Sequence, residues 1–285
     1  VEIARLNLLI NALSKREKLP LLNNIKNGNS LISGMDEELK KYFGKNFRDK
    51  KPFNWQEEFT EVFKQGGFDV IIGNPPYLSI ESGYLEDVGY YKSHYSTIEK
   101  IYDIFGLFIE KAFLLIKTGG RIGFIVPNVI LFNDSFSKLR KKILEETKIV
   151  SIDNYKDGIF AGVVVPTCVI IFEKDDQSIV CVVYKNDKMI SKIKIKQRKF
   201  ISNQLYKFNL VLDKNFVDFD KKIKSNSVSL KNITKVQEAI KTGDDKKFIT
   251  NEPQNTPSEK VLLKGGDINR YKIIKERFIN YNKNL

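Results

Sequence analysis

The stretch Phe68–Tyr77, FDVIIGNPPY, decides how this sequence of 285 residues is expected to fold. Phe68–Gly73 is an apolar, β-branched run of strand length, which is typical of a strand buried on both faces. Gly66 and Gly67 break the helical pattern that precedes it. The turn Asn74–Tyr77 therefore follows a predicted buried central strand at its carboxyl end, where open α/β sheets bind their ligands.

Helical and strand-like segments alternate around this strand, up to about Asp176. The predicted helices are Val1–Ser14, most of Asp36–Gln65, Tyr102–Lys117 and Phe136–Glu146, and the other predicted strands are Asn24–Leu31, Arg121–Pro127, Ile149–Tyr155 and Thr167–Glu173. This alternation predicts an α/β fold with helices on both faces of a sheet. The last two strands have no helix between them and predict an antiparallel hairpin at one edge. Trp55, Phe59 and Phe63 recur every four residues and predict a packing stripe.

The excess of basic charge is confined to the second part of the chain. The formal net charge is +13; Val1–Asp176 holds 24 basic and 24 acidic residues, whereas Gln177–Leu285 holds 24 basic and 11 acidic residues. This change places a domain boundary between residues 176 and 177, with a mixed, mainly β domain after it. A basic module beside a neutral domain is typical of a nucleic-acid-binding protein. A Lys-rich surface that only keeps the protein soluble is an equal alternative at this point.

Composition argues against several other classes of protein. No secretory signal is visible, and the longest apolar run, Gly158–Phe172, is shorter than the ~20 residues of a membrane span and contains Pro166. Two cysteines and one histidine are too few for a disulfide framework or a four-ligand zinc site. We therefore predict a cytoplasmic protein that binds no membrane and no metal.

The turn Asn74–Tyr77 offers hydrogen-bond acceptors in a rigid frame. Pro75 and Pro76 fix φ and have no amide hydrogen, so the acceptors are the Asn74 side-chain oxygen and the Pro75 carbonyl oxygen. The exocyclic amine of a nucleobase is a poor nucleophile. Two such acceptors can bind its hydrogens and stabilise the positive charge that grows on nitrogen during attack. Tyr77 offers a ring on which the base can stack.

Phe68–Tyr77 and its flanks resemble the gamma class of adenine-N6 DNA methyltransferases, especially the fused type II restriction–modification enzymes. The resemblance covers nearly the whole chain. It implies a Rossmann-like methyltransferase sheet, S-adenosylmethionine as cofactor and double-stranded DNA as substrate. The implied catalytic residues are Asn74, Pro75, Pro76, Tyr77 and Phe160. In this scheme the rings of Tyr77 and Phe160 sandwich an adenine that has been flipped out of the duplex.

The resemblance also implies a cofactor site. Asn24–Leu31, NIKNGNSL, lies where the family has a strand that ends in an acidic residue against the cofactor's adenine. Asn29 takes that position, followed by Ser30, and an amide oxygen can still accept a bond from an adenine amine. Phe105 matches an apolar residue that lies against the adenine, although a role as an ordinary core residue is equally open. The family's glycine-rich loop, its first strands and any nuclease are expected upstream of Val1.

Two segments of the basic part, Val236–Gly243 and Leu262–Tyr271, resemble the family's target-recognition domain. This likeness favours DNA binding over a merely solubilising charge. Residues 1–176 are thus expected to form the C-terminal portion of a methyltransferase domain, and residues 177–285 to recognise the DNA target. We predict methylation of adenine N6 in duplex DNA within a bacterial restriction–modification system. The alternatives left open are an RNA-base methyltransferase and a non-catalytic DNA-binding fragment.

Overall fold

The computed structural model describes residues 1–15, 18, 22–78, 87–98, 103–155, 165–175, 181–186, 190–210, 219, 222–234, 245–270 and 272–280. The chain divides into two compact units, Val1–Phe216 and Val217–Leu285. The first unit is an α/β fold, as predicted. The division falls later than the boundary predicted at residues 176 and 177, because two further strands continue the sheet of the first unit.

Short helices accompany this sheet. They are α1 (Glu2–Ser14), α2 (Asp36–Phe43), α3 (Trp55–Glu58), α4 (Thr60–Lys64), α5 (Val88–His94), α6 (Ile104–Leu115), α7 (Ser137–Glu146) and α8 (Arg198–Ile201). Turns of 3-10 helix span Gly44–Lys50, Asn128–Leu131, Asp134–Phe136 and Gln204–Tyr206. Within the described part of the chain, no helix is both long and apolar enough to cross a bilayer.

The sheet of the first unit is mixed. Its strands are β1 (Phe68–Gly73), β2 (Ile116–Pro127), β3 (Lys148–Tyr155), β4 (Thr167–Glu173), β5 (Cys181–Asn186) and β6 (Ile190–Ile195). They lie in the order β1-β2-β4-β3-β5-β6, with parallel pairs β1–β2 and β3–β5. The predicted antiparallel pairing of β3 with β4 is confirmed. This pair lies inside the sheet rather than at its edge, because β5 and β6 extend the sheet beyond β3.

Strand β1 lies at an edge of the sheet rather than in its centre. Among the described strands it pairs only with β2, and its residues Val70 and Ile72 are 59% and 81% exposed. The prediction of a fully buried central strand is therefore wrong, because the face of β1 that carries Val70 and Ile72 is left open to water in the described part of the chain. The predicted strand Asn24–Leu31 is also wrong. The described structure there contains only a single bridge between Asn29 and Pro52.

Helix α6 supports both apolar cores of the first unit. The larger core packs α6 and α7 against β2, β3 and β4, and includes Phe105 and Ile109. The smaller core joins α6, through Ile104 and Leu107, to α2, α5 and the loop before α2. A helix that is apolar nearly all round is typically buried on most sides. The start of α6 is therefore firmly held, and its first residue, Ile104, is hydrogen-bonded to Leu78, just after the Asn74 turn.

The predicted aromatic stripe is confirmed and fixes the start of β1. Trp55 stacks on Phe59 with ring centroids 5.8 Å apart. Phe59 and Phe63 both meet Phe68 edge to face, at 5.3 and 5.7 Å. Because Phe68 is the first residue of β1, these contacts anchor the strand that carries the Asn74 turn.

The second unit contains short elements, in agreement with the mixed, mainly β character predicted for the basic part. They are α9 (Leu230–Ile233), α10 (Asp245–Phe248), β7 (Ile249–Thr250), β8 (Glu259–Leu262), β9 (Ile268–Asn269), β10 (Lys272–Ile273) and β11 (Arg277–Asn280). Strand β11 lies between β7 and β8, and all of these neighbours are antiparallel. Strands β9 and β10 form a separate hairpin.

Candidate active site at the end of strand β1

The turn Asn74–Tyr77 follows β1 at its carboxyl end, as predicted from the sequence. Asn74 and Pro76 are exposed, whereas Pro75 is buried and Tyr77 is half-buried. The residue before the turn, Gly73, lies opposite Phe124 of β2. A Cβ atom at Gly73 would lie only 2.7 Å from the Phe124 ring, so this position has no room for a side chain.

Hydrogen bonds hold the residues on the far side of the turn. The Tyr77 hydroxyl donates to the carbonyl oxygen of Ile125 in β2, at 3.3 Å. Burial raises the pKa of Tyr77, and the nearby Cys168 raises it further, so the phenol stays protonated at neutral pH. The backbone N–H of Ile104, at the start of α6, donates to the carbonyl oxygen of Leu78 at 2.9 Å. The Tyr77 ring is therefore fixed against the sheet.

A cavity of about 290 Å³ opens beside the turn. It brings Asn74, Pro75 and Pro76 together with Ser30, which lies in the loop before α2. The rest of its wall is mostly aromatic and aliphatic, from Trp55, Ile71, Ile72, Phe108, Ala112, Leu115 and Phe124. A concave, apolar pocket with a few polar groups is the usual form of a small-molecule site.

Lys111 of α6 brings a cation to the same cavity. Its Nζ donates to the Ser33 hydroxyl at 3.1 Å, and burial lowers the pKa of this lysine. Lys111 also lines a larger cavity of about 870 Å³, whose wall includes the acidic residues Asp36, Glu38 and Glu57. The smaller cavity thus combines carbonyl acceptors with one ammonium group in apolar surroundings.

The structure brings Ser30 to the turn but leaves Asn29 outside the cavity wall. The Asn29 side-chain oxygen accepts a bond from the N–H of Leu31 at 3.1 Å. The Asn29 backbone N–H donates to the Lys51 carbonyl oxygen at 2.6 Å. Asn29 is therefore engaged within its own loop, although a carbonyl oxygen retains a second lone pair for a ligand. The Ser30 carbonyl oxygen accepts a bond from Trp55 Nε1 at 3.1 Å, which ties the loop to the cavity wall.

Phe105 lies in the core and not at the cavity. Its side chain is fully buried and packs on Phe136, with ring centroids 5.0 Å apart. Phe108, about one turn further along α6, lines the cavity instead. The geometry therefore favours the reading of Phe105 as an ordinary core residue and corrects its assignment to the cofactor site. Phe160 and the segment Val236–Gly243 lie outside the described residues, so their roles stay predictions.

Residues 1–160, which include the turn and the cavity wall, match the model of the Eco57I restriction-modification methylase family. The chain belongs to this family. Two curated relatives show how far the likeness reaches. The type II restriction enzyme and methyltransferase RM.Eco57I of Escherichia coli is 29% identical over 200 residues, which are 65% of this chain and 20% of that protein. The type II methyltransferase M.BstVI of Geobacillus stearothermophilus is 33% identical over 155 residues, which are 53% of this chain and 27% of that protein.

A solved structure supports the fold of this Eco57I-family chain. The type IIL restriction-modification enzyme MmeI, solved in complex with DNA, resembles it with a TM-score of 0.53. The likeness covers 80% of this chain and 31% of the MmeI chain, at 18% identity. At this level of identity the likeness shows the fold alone.

Sequence reasoning missed two residues at the cavity of this Eco57I-family chain. Phe105 and Phe108 both lie in the six-residue stretch Asp103–Phe108. Their spacing does not indicate which of the two rings faces the cavity. Lys111 had a detectable signal, because Lys111 and Glu110 are the two charged residues in the otherwise apolar helix IFGLFIEKAFLL. A charged group that is retained in such a helix commonly faces a cavity or a partner.

Proposed function

We propose that this chain carries the catalytic centre, and part of the DNA-recognition region, of an S-adenosylmethionine-dependent methyltransferase that acts on adenine N6 in duplex DNA. The observation that carries the proposal is the meeting of Asn74 and Pro75 with Ser30 and Phe108 at one cavity. Membership of the Eco57I restriction-modification methylase family supports it. The chain spans about a fifth to a quarter of the curated relatives described above, so the reaction of the whole protein is part of the proposal.

The chain's contribution to the reaction is to hold the target amine and stabilise its charge. Asn74 Oδ1 and the Pro75 carbonyl oxygen accept the two amine hydrogens. The buried Pro75 ring keeps its carbonyl in place, and neither proline has an amide hydrogen that would repel the amine. When the amine attacks a methyl group, the positive charge on nitrogen is stabilised by the two fixed acceptors. Because Asn74 is exposed, the proton that the product releases can pass to water.

The cavity residues fit the adenosyl part of S-adenosylmethionine. Phe108 and Trp55 offer flat apolar walls that suit a purine ring, while Ser30 provides a polar contact. In this proposal Phe108 takes the place that the family resemblance gave to Phe105. When bound, the cofactor supplies an electrophilic methyl group.

Base flipping follows from the position of the target nitrogen inside a stacked duplex. We assign Tyr77 as one stacking surface for the extruded adenine, with Phe160 on the opposite face. The bond from the Tyr77 hydroxyl to Ile125 fixes the ring, and the raised pKa keeps it uncharged. Stacking on an aromatic side chain contributes ~1–3 kcal/mol per base.

The second unit supplies features that suit DNA. Arg277 donates to both carboxylate oxygens of Asp267, at 2.7 and 2.9 Å. This ion pair pins the turn before the β9–β10 hairpin, in which Arg270 and Lys272 are exposed. Basic side chains near phosphates release condensed counterions, so binding should weaken as salt rises.

The test is methyl transfer from labelled S-adenosylmethionine to duplex DNA that carries no methylated bases. The DNA is then digested, and mass spectrometry separates N6-methyladenine from N4-methylcytosine. We expect labelled N6-methyladenine, and we expect Asn74→Ala to lower the rate by about 100-fold or more, because one of two charge-stabilising groups is lost. Asn46→Ala is the matched control, since Asn46 is exposed and lies outside the cavity wall.

Each alternative gives a different result in this experiment. Transfer to RNA in preference to DNA would identify an RNA-base methyltransferase. N4-methylcytosine as the only product would refute adenine as the target. Salt-sensitive DNA binding, with no cofactor binding by isothermal titration and no transfer, would identify a non-catalytic DNA-binding fragment.

A further inference from the structure

A pair of amide side chains lies near Tyr77, at the ends of β2 and β3. Nδ2 of Asn128 donates to Oδ1 of Asn154 at 3.3 Å. Asn128 directly follows β2, and Asn154 is the last residue but one of β3. Both side chains are half-buried. The mechanism proposed above uses neither of them.

The register of the sheet places this pair beside the stretch of β2 to which Tyr77 bonds. Cys168 of β4 lies opposite Val126 of β2 and opposite Asn154 of β3, so these three side chains share one face. Asn128 lies two residues after Val126 and bonds to Asn154, which places it on that face as well. The Tyr77 hydroxyl bonds to the carbonyl oxygen of Ile125, the residue before Val126, so the tyrosine lies beside the same stretch of β2.

The spacing between Asn74 and the pair suits a nucleobase. Gly73 lies opposite Phe124, so Asn74 lies about level with Ile125, and Asn128 is three residues further along. A strand rises ~3.3 Å per residue and neighbouring strands lie ~4.8 Å apart, so the backbone of Asn128 is roughly 11 Å from that of Asn74. The backbone of Asn154, which is level with Val126 and three strands away from β1, is roughly 15 Å from that of Asn74. Two asparagine side chains and a purine with a hydrogen bond at each end span such a distance, whereas a pyrimidine is shorter by one ring. The Tyr77 hydroxyl, bonded to Ile125, lies at about the level of Asn74.

The pair also has hydrogen-bonding capacity left for a ligand. After the mutual bond, Asn154 retains its Nδ2 hydrogens and Asn128 retains its Oδ1, and no further side-chain bond of either is found among the described residues. A purine whose exocyclic amine is held at Asn74 presents ring nitrogens, which are acceptors, on its other edges. The Asn154 amide is the matching donor.

We propose that Asn128 and Asn154 form the wall of the target-base pocket opposite Asn74, where Asn154 donates to a ring nitrogen of the purine. This inference rests on the proposed methyltransferase function and deepens it. Asn154 determines specificity, because it favours adenine over cytosine, whose exocyclic amine offers the same chemistry. Asn128 is a positioning residue that orients the Asn154 amide.

Asn154→Asp separates this role from a structural one. An aspartate keeps an oxygen that accepts the bond from Asn128, so the contact between the two side chains survives. The amide hydrogens that would bind the purine are lost. Asn46→Asp, at an exposed position outside the cavity wall, is the matched control for the added charge.

The first readout is the methylated product in duplex DNA. We expect Asn154→Asp to lower kcat/KM for adenine by about ten-fold or more and to raise the proportion of N4-methylcytosine, while Asn46→Asp changes neither. Unchanged kcat/KM would overturn the proposal. So would a lower rate with an unchanged ratio of products, because that is the result expected of a purely structural pair.

The second readout does not depend on catalysis. Nuclear magnetic resonance follows the side-chain amide signals of Asn128 and Asn154, assigned with the alanine variants, during titration with deoxyadenosine monophosphate or deoxycytidine monophosphate. We expect larger shifts with the purine nucleotide. Shifts without methyl transfer by the wild type would refute the proposed function and leave the purine contact standing. Transfer by the wild type, with unmoved amide signals, would refute the contact alone.

Discussion

Replacing Gly73 with alanine tests how tightly the structure holds the end of β1. The added Cβ atom would lie 2.7 Å from Cε1 and 3.1 Å from Cδ1 of Phe124. Phe124 is 4% exposed and belongs to the larger core, so its ring has little space into which it can move. Either the ring or the strand must shift, and both border the cavity next to Asn74.

The expected loss of stability follows from two opposing effects. One extra methyl group forced into a packed core costs about 1–3 kcal/mol. The smaller conformational freedom of alanine in the unfolded chain offsets about 0.4–1 kcal/mol of this. We therefore expect Gly73→Ala to lower the free energy of unfolding by about 1–2 kcal/mol. Displacement of Asn74 by about 1 Å would lower the rate of methyl transfer by about 100-fold.

Gly123→Ala is the matched control on the neighbouring strand. Gly123 lies opposite Ile72, and a Cβ atom there would meet its nearest side-chain atoms at 3.8 Å and 4.0 Å, which are ordinary contacts. We expect no loss of stability in this variant. Urea unfolding followed by the fluorescence of the single tryptophan, Trp55, measures both variants. Equal stabilities, or full methyl transfer by Gly73→Ala, would refute the reasoning.

Two further predictions concern buried carboxylates. Glu110 accepts four hydrogen bonds, from the backbone N–H and hydroxyl groups of Ser96 and Thr97, at 2.6–3.1 Å. Glu110→Gln replaces one acceptor oxygen with a donor, so the free energy of unfolding in urea should fall by about 1–3 kcal/mol; an unchanged midpoint would contradict this. The bond from Arg277, followed by a backbone hydrogen bond, lowers the pKa of Asp267 to about 2. Because this value lies below the unfolded-state value of about 3.8, the stabilisation is complete above about pH 4 and is lost as the pH falls towards 2. Asp267→Asn should remove that part of the acid dependence of unfolding, and an identical acid profile would show that the ion pair contributes nothing.

The strands and the turn Asn74–Tyr77 could be predicted because they depend on local pattern. The apolar runs Phe68–Gly73 and Thr167–Glu173 coincide with β1 and β4 as observed, and Asn74–Tyr77 follows β1 as expected. Two prolines after such a run end the strand wherever it occurs, because neither can donate to a neighbouring strand. The position of the turn relative to β1 is therefore encoded within ten residues.

Other features depend on neighbours that a local pattern does not specify. An apolar run such as β1 has the same sequence whether it has one neighbouring strand or two, so its place at the edge was not predictable. Phe105 and Phe108 lie in a helix that is apolar on most sides, and such a helix gives no amphipathic signal for the direction of either ring. The change of charge after residue 176 misplaced the domain boundary, because lysine-rich strands are common at sheet edges and do not mark the end of a sheet.

The same distinction separates the chemistry of the site from its choice of base. The proposed acceptors for the amine, Asn74 and Pro75, are consecutive residues, so one turn is enough to indicate attack by an exocyclic amine. Asn128 and Asn154 are 26 residues apart and meet only because β4 lies between β2 and β3 and sets their register. If this pair selects the purine, substitution of Asn74 should change the rate without changing which base is methylated. Substitution of Asn154 should change the base that is methylated. The class of reaction would then be predictable from the turn alone, whereas the choice of base would depend on the assembled sheet.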